Sequence, residues 1–363
     1  MQAFFELIEV TTGKRAALSE TLNEAQWETL LQQIKEQTLI GPLYYGVTKL
    51  PKEQQPDAEF MLSWCAMVER IKQINRRMNA AAVKLYARLK QDGFNNVLLK
   101  GQGVAQLYPD PLLRTPGDLD YWIAGGREKV VDYVRHYFPT MPVVYHHMDF
   151  PVFKDVSVEA HFMPSWMYSY FTNKRLQAYF SEHEAEEMQH EVELPEGAGR
   201  IAVSSVSFNR IYILVHTYRH LLDEGVGLRQ VLDYYFVLKH SKTDAATKAE
   251  TVRVLRRLKM LRFAAAMMYV QQELFGLEDE YLIVEPNERE GRFFLDEIME
   301  AGNFGHHDRR YLYKGSDKES RKHYFFRKQR RNFRFLTHYP SEVLWHPVFR
   351  IWQYFWRRKN GYL

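Results

Sequence analysis

The chain of 363 residues contains one cysteine, Cys65, so neither a disulfide framework nor a cysteine-cluster zinc site is open to it. A single thiol fits a reducing compartment, and the expected location is the cytoplasm. No run of 18 apolar residues occurs, which argues against a membrane-spanning segment. The opening residues, MQAFFELIEVTTGKR, lack a basic stretch followed by a long apolar one and a small-residue cleavage site, so no secretory signal is expected. Internal repeats and low-complexity stretches are also missing. What remains is ordinary globular material. Hydrophobic residues make up 46% and charged residues 26%, which excludes global disorder, and the length suits two or three units of roughly 100–200 residues.

The net charge of +4 is unevenly spread. From Asp308 to Leu363 there are 15 lysines and arginines against 4 acids, which leaves residues 1–307 at −7. The same tail holds 15 of the 53 aromatic residues. An acidic body with a basic, aromatic end points to an anionic partner, either nucleic acid or a phosphate-bearing surface.

Periodicity divides the chain. Asn23 with Gln26 three residues on resembles a capping box, and Trp27, Leu30, Leu31 and Ile34 follow at helical spacing. After Pro56, Phe60, Trp64, Val68, Ile71, Met78, Leu85 and Leu89 keep a helical rhythm as far as Gly93. Residues 1–92 therefore read as helical. Between 93 and 172 the period changes: Val97–Leu99, Leu119–Ile123, Pro142–Tyr145, Pro151–Phe153 and Ser157–Phe162 read as strands, with a helix over Arg127–Phe138. Residues 173–307 read as mainly helical, with a hairpin of Glu191–Leu194 and Arg200–Val203, a helix capped by Ser205 or Ser207, and one helix from about Thr247 to Phe275. Residues 308–363 read as a basic, aromatic helical tail.

The chemistry concentrates in VLLKGQGVAQLYPDPLLRTPGDLDYWI, residues 97–123. A strand ends and a helix begins at Lys100-Gly101, bringing free backbone N–H groups and a lysine together, a physical site for phosphate. A proline-rich loop runs to Arg114, which either neutralises phosphate or pairs with an aspartate. Asp118 and Asp120 then fall on one face of a strand by period two. Adjacent carboxylates repel unless a cation lies between them, and a hard divalent ion is the usual solution. In Ser157–Phe162, Glu159 and His161 share one strand face. If that strand lies beside the first, Glu159 completes an acidic triad, as metal ligand, general base, or both.

These residues resemble the signature of the nucleotidyltransferase superfamily, the polymerase-beta-like fold: a strand, a glycine-containing turn, a helix, then Asp-x-Asp on the next strand. LLKG, the arginine ahead of GDLD, VEAH, HTYRH (216–220) and GLRQVLDYYFVL (227–238) resemble more closely the branch known as uncharacterised nucleotidyltransferases, over roughly residues 85–240. Lys100 stands where the superfamily has its first turn glycine, and Glu159 where aspartate is common. The resemblance implies an α+β fold, a mixed β-sheet core flanked by helical N-terminal and C-terminal regions. It implies Mg²⁺-dependent transfer of a nucleoside monophosphate from an NTP, with ATP the expected donor and Mn²⁺ the alternative ion, to a hydroxyl acceptor with release of pyrophosphate. Asp118, Asp120 and Glu159 would be the metal-binding and catalytic groups. Lys100, Gly101, Arg114, His216 and His220 would line the nucleotide. The alternatives are a nucleotide sensor of the same fold without turnover, and a nucleic-acid-binding module acting through the tail.

The remaining histidines separate by spacing. His216 and His220, at i and i+4, suit a helix-face pair contacting nucleotide or a carboxylate better than a zinc site, since no cysteine cluster supports them. Arg229 and Asp233 read as a structural ion pair. His146-His147 and His306-His307 lack partners at ligand-like spacing and receive no role. In the tail, Tyr324–Phe335 and Val348–Trp356 alternate aromatic and basic residues. That pattern suits RNA, a membrane surface, or a lid packed on the acidic body, and the number of aromatics favours the lid.

Overall fold

The computed structural model describes residues 2–305, 308, 310 and 321–362. The expected helices of the first 92 residues are present: α1 (Gln2–Thr12), α2 (Glu24–Glu36), α3 (Ile40–Lys49) and α4 (Ala58–Gln91). Asn23 Oδ1 accepts the Gln26 N–H at 3.0 Å while Gln26 Oε1 accepts the Asn23 N–H at 2.8 Å, so the capping box forms. Asp57 caps α4 through the Phe60 N–H at 2.8 Å. One stripe of α4, including Trp64, Val68, Met78, Leu85 and Leu89, enters the core. The chain leaves the helix through Gly93 at φ +88°, a conformation that suits glycine.

A four-stranded mixed sheet follows, built from β1 (Asn96–Leu99), β2 (Leu119–Ile123), β3 (His147–Asp149) and β4 (Val158–His161) in the order β1-β2-β4-β3. A single helical turn, α5 (Gly101–Ala105), leads away from β1, and α6 (Gly126–Tyr137) follows β2. β1 runs antiparallel to β2, β2 parallel to β4, and β3 antiparallel to β4. Together with the surrounding helices this makes the fold α+β, as expected. One expectation is corrected. Pro142–Tyr145 and Pro151–Phe153 are not strands; the strand lies between them at His147–Asp149. Proline opens both segments and offers no N–H to a ladder, whereas His147 and Asp149 pair with His161 and Glu159.

The rest is mainly helical: α7 (Tyr170–Glu187), the hairpin β5 (Glu191–Leu194) and β6 (Gly199–Ala202), α8 (Val206–Asp223), α9 (Leu228–Lys239), α10 (Ala245–Arg257), α11 (Leu261–Phe275), α12 (Glu288–Ala301), α13 (Arg321–Asn332) and α14 (Pro340–Lys359). Ser205 rather than Ser207 caps α8, its hydroxyl accepting the Phe208 N–H at 3.2 Å. The single helix expected from Thr247 to Phe275 is two, α10 and α11, because the chain reverses at Lys259 with φ +57°. His306-His307 lie outside the described residues.

The C-terminal helices pack on the body. Phe335, Tyr339, Val343 and Phe349 are buried, and Phe349 stacks on Trp166 with ring centres 4.2 Å apart. The buried Glu342 carboxylate accepts the backbone N–H groups of Tyr168 (2.6 Å) and Ser169 (3.3 Å) ahead of α7, and the Thr172 hydroxyl (3.1 Å). Arg331 donates to the carbonyls of Leu221 and Leu222 at the end of α8. Arg310 and Arg334 converge on the buried Glu297. The acidic body thus supplies partners for the basic tail within one chain. Truncation after Asn303 is expected to lower stability by several kcal/mol, since each large buried side chain is worth roughly 1.5–3 kcal/mol. Thermal unfolding of the truncated chain checks this, and an unchanged melting temperature would refute a supporting role for the tail.

Candidate functional site

The parallel pairing of β2 with β4 places Asp120 directly beside Glu159 and Trp122 beside His161. Asp120 and His161 are buried and Glu159 is half-buried. His161 Nε2 lies 3.1 Å from Asp120 Oδ1 and 3.0 Å from Glu159 Oε2. From the other side of Asp120, Lys100 at the end of β1 brings its Nζ to 3.1 Å from Oδ2. Two carboxylates and two cations therefore share one end of the sheet.

The electrostatics follow from this packing. Burial would push Lys100 down, but Asp120, Asp118 and Glu159 override it and raise its affinity for the proton. Burial likewise opposes charge on His161, and its hydrogen bonds with Asp120 and Glu159 lift it to about 9. For Glu159, burial is outweighed by His161 and His147, and its carboxyl falls to about 2. At neutral pH the pair of carboxylates is balanced by an ammonium and an imidazolium.

Asp118 stands one residue ahead of β2 and is half-buried. Its carbonyl oxygen would lie 3.7 Å from a β-carbon on Gly101, which has φ +52°. With Lys100, Gly101, Arg114, His216, Arg229 and other residues, Asp118 lines a small pocket beside the carboxylates. Lys100 itself adopts φ +43°, ψ −144°, a backbone conformation that ordinarily calls for glycine. It does so at the position where the resemblance expects the turn glycine. α5 is only one turn long, so any phosphate held here would be met by the lysine and individual N–H groups rather than by a long helix dipole.

Of the two roles open to Arg114, the structure shows pairing with an aspartate. Its guanidinium grips Asp233 through two hydrogen bonds, at 2.7 and 2.8 Å, and the Tyr108 hydroxyl donates to the same carboxylate at 2.8 Å. The reading of Arg229 and Asp233 as a simple ion pair is corrected accordingly. Arg229 donates to the carbonyls of Thr115 and Pro116, which places it over the loop ahead of Asp118. His216 Nε2 lies 3.3 Å from Lys100 Nζ and 3.0 Å from His220 Nε2, and burial with the nearby Lys100 keeps His216 well below the usual imidazole range. A neutral His216 can accept from the lysine and aim it. His220 sits one turn further along, against His216 and with Nδ1 3.5 Å from Glu224.

Three histidines deserve roles that spacing did not assign. His161 shared a strand face with Glu159 in the sequence, and it proves to bridge both carboxylates. His146 and His147, separated from it by the chain, are brought alongside by β3. His147 Nδ1 is 3.0 Å from His146 Nε2, and His147 Nε2 is 3.5 Å from Glu159 Oε1. Burial, then the neighbouring His161 charge, hold His147 at about 4. Donor atoms of Asp120, Glu159 and His161 lie within 4.8 Å of one another, as do those of His146, His147 and His161. Such spacings suit shared ligation of one ion, and two carboxylates with an imidazole fit a divalent metal. Asp118 is not in either group.

Set against known proteins, residues 23–276, more than two thirds of the chain, match a family model described as uncharacterised nucleotidyltransferase. No curated protein and no solved structure matches.

The buried Arg114–Asp233 pair gives a stability test. Arg114→Ala strands the Asp233 carboxylate in the core and is expected to cost about 3–5 kcal/mol. Arg114→Lys is expected to fall between, because an ammonium cannot span both oxygens. Chemical denaturation checks the series, and wild-type stability in the alanine variant would show that the pair carries no structural weight.

Proposed function

Because the chain belongs to the uncharacterised nucleotidyltransferase family, we propose that it moves a nucleoside monophosphate from an NTP, with ATP the expected donor, to a hydroxyl acceptor. The observation that carries this reading is the register that sets Asp120 beside Glu159 with Lys100 at 3.1 Å. An acceptor oxygen attacks the α-phosphorus, the bond to the bridging oxygen of pyrophosphate breaks, and the acceptor proton is relayed through Glu159 to water. Lys100, steered by His216, and the Gly101 N–H meet the triphosphate in the pocket that Asp118 also lines. Arg114 contributes by holding α9 and the loop ahead of Asp118 together. His220 supports His216.

Asp120 and Glu159, with His161, would hold the divalent ion, and Asp118 would complete the carboxylate set at the pocket. Mg²⁺ is the expected ion, and the imidazole of His161 makes Mn²⁺ the alternative. Bound there, such an ion would neutralise charge on the phosphates and lower the pKa of the attacking hydroxyl. The chain's own share of the catalysis is positioning and fixed charge.

Asp118→Asn and Asp120→Asn keep side-chain volume while removing one carboxylate charge. Each is expected to abolish pyrophosphate release at saturating Mg²⁺ with the fold retained. A wild-type rate in either would overturn the assignment. Ligand binding supplies a second test: at a hundredfold excess over Kd, NTP should stabilise the protein by about 2.7 kcal/mol. That shift is expected with Mg²⁺ and not with EDTA. An equal melting shift in EDTA would count against a metal-bridged triphosphate.

A further inference from the structure

The outer face of α14 has no counterpart in the function proposed above. Leu344, Val348, Ile351 and Phe355 recur at steps of four, three and four residues, which puts them on one side of the helix. They are 62, 53, 56 and 62% exposed, while Val343, His346, Phe349 and Gln353 of the same helix face inward and are buried. Trp352 adds a further exposed ring. Monomeric soluble surfaces rarely leave such a contiguous apolar patch to water.

The charge carried by the last two helices is almost all of one sign. Residues 321–359 contain eleven lysines and arginines and one acid, Glu342, and that acid is buried against α7. The occupant of the stripe must therefore be apolar at its centre and anionic at its edge. Leu344, Val348 and Ile351 present aliphatic side chains, which cannot stack on bases, so a nucleic acid would leave them wet. A second copy of the chain would set one basic surface against another. An anionic lipid surface satisfies both demands, with the aliphatic and aromatic groups among the acyl chains and the cations among the phosphates.

A cavity joins the stripe to the interior. It has a volume of about 940 Å³, and its walls include Ile351 and Phe355 from the stripe and His146 and His147 from the edge of the sheet. Its charged lining is mixed with an excess of cations: Arg219, Lys328, Arg350 and Arg357 against Asp223 and Glu224. His147 is the residue that stands 3.5 Å from Glu159, so the cavity extends from the apolar face toward the carboxylates. Its size suits a small-molecule head group.

We propose that the outer face of α14 docks on an anionic lipid bilayer and that this cavity receives the head group of a bound lipid. The docking does not depend on nucleotidyl transfer. It is tested by sedimentation with vesicles of phosphatidylcholine alone and of phosphatidylcholine with phosphatidylglycerol. The full chain is expected to sediment with the mixed vesicles at least tenfold more strongly than with the neutral ones. Ile351→Glu combined with Phe355→Glu should lower that binding at least tenfold while leaving the melting temperature unchanged, because both side chains are exposed. Arg350→Gln should narrow the preference for anionic vesicles. Failure of the wild type to sediment, or equal sedimentation of wild type and the double variant, would overturn the proposal. So would a single-stranded RNA oligonucleotide bound equally by both without vesicle binding, or a dimer abolished by the double variant without vesicle binding. A pyrophosphate-release assay of the same proteins without vesicles reports on the transferase reading separately.

Discussion

Everything at the candidate site rests on one register. Pairing β2 with β4 in parallel puts Asp120 next to Glu159, and two carboxylates so close and so poorly hydrated repel each other strongly. The fold answers with Lys100 from the turn after β1 and His161 from β4 itself. Those two cations explain several neighbouring features. Lys100 reaches Asp120 from a glycine-like backbone conformation. His216 must stay neutral to lie against the lysine, and burial in α8 keeps it so. The balance is also one that a divalent ion could take over, since an ion between the carboxylates would do the work of the imidazolium.

The tail solves a different problem. Helices α7 and α8 leave backbone groups at their termini that need partners, and residues far along the chain provide them. Glu342 meets the N–H groups ahead of α7, and Arg331 meets the last carbonyls of α8. Charge complementarity between the acidic body and the basic tail is therefore built from specific helix-end contacts as well as from ion pairs such as those at Glu297. The inner face of α14 is consumed in this way. The outer face is left with apolar side chains and surplus positive charge.

Much of this was legible in the sequence where local chemistry decided the outcome. The capping box at Asn23, the long stripe of α4, the hairpin and the alternating faces of Asp118–Ile123 and Val158–Phe162 all depend on neighbours within a few residues. The membership of Glu159 in the carboxylate cluster was legible only as a condition, because adjacency of two strands is a tertiary fact. His146 and His147 were illegible for the same reason: β3 is three residues long and exists only because β4 offers it an edge. Asp233 offered Arg229 a plausible partner four residues away, yet both are buried, and the planar fork of Arg114 takes both oxygens of that carboxylate. The break at Lys259 carried no glycine or proline to announce it.

The sequence distances spanned by these contacts set an order of events. Asp120 and His161 are 41 residues apart, Lys100 and His216 are 116, and Tyr168 and Glu342 are 174. Contacts of such separation close late, because loop entropy must be overcome before they contribute. On a ribosome the sheet can assemble once residue 161 has emerged, but the wall of the cavity formed by α14 does not exist until Pro340–Lys359 has emerged as well. The nascent protein thus passes through a stage in which the carboxylate cluster is formed and one side of it stands open to water.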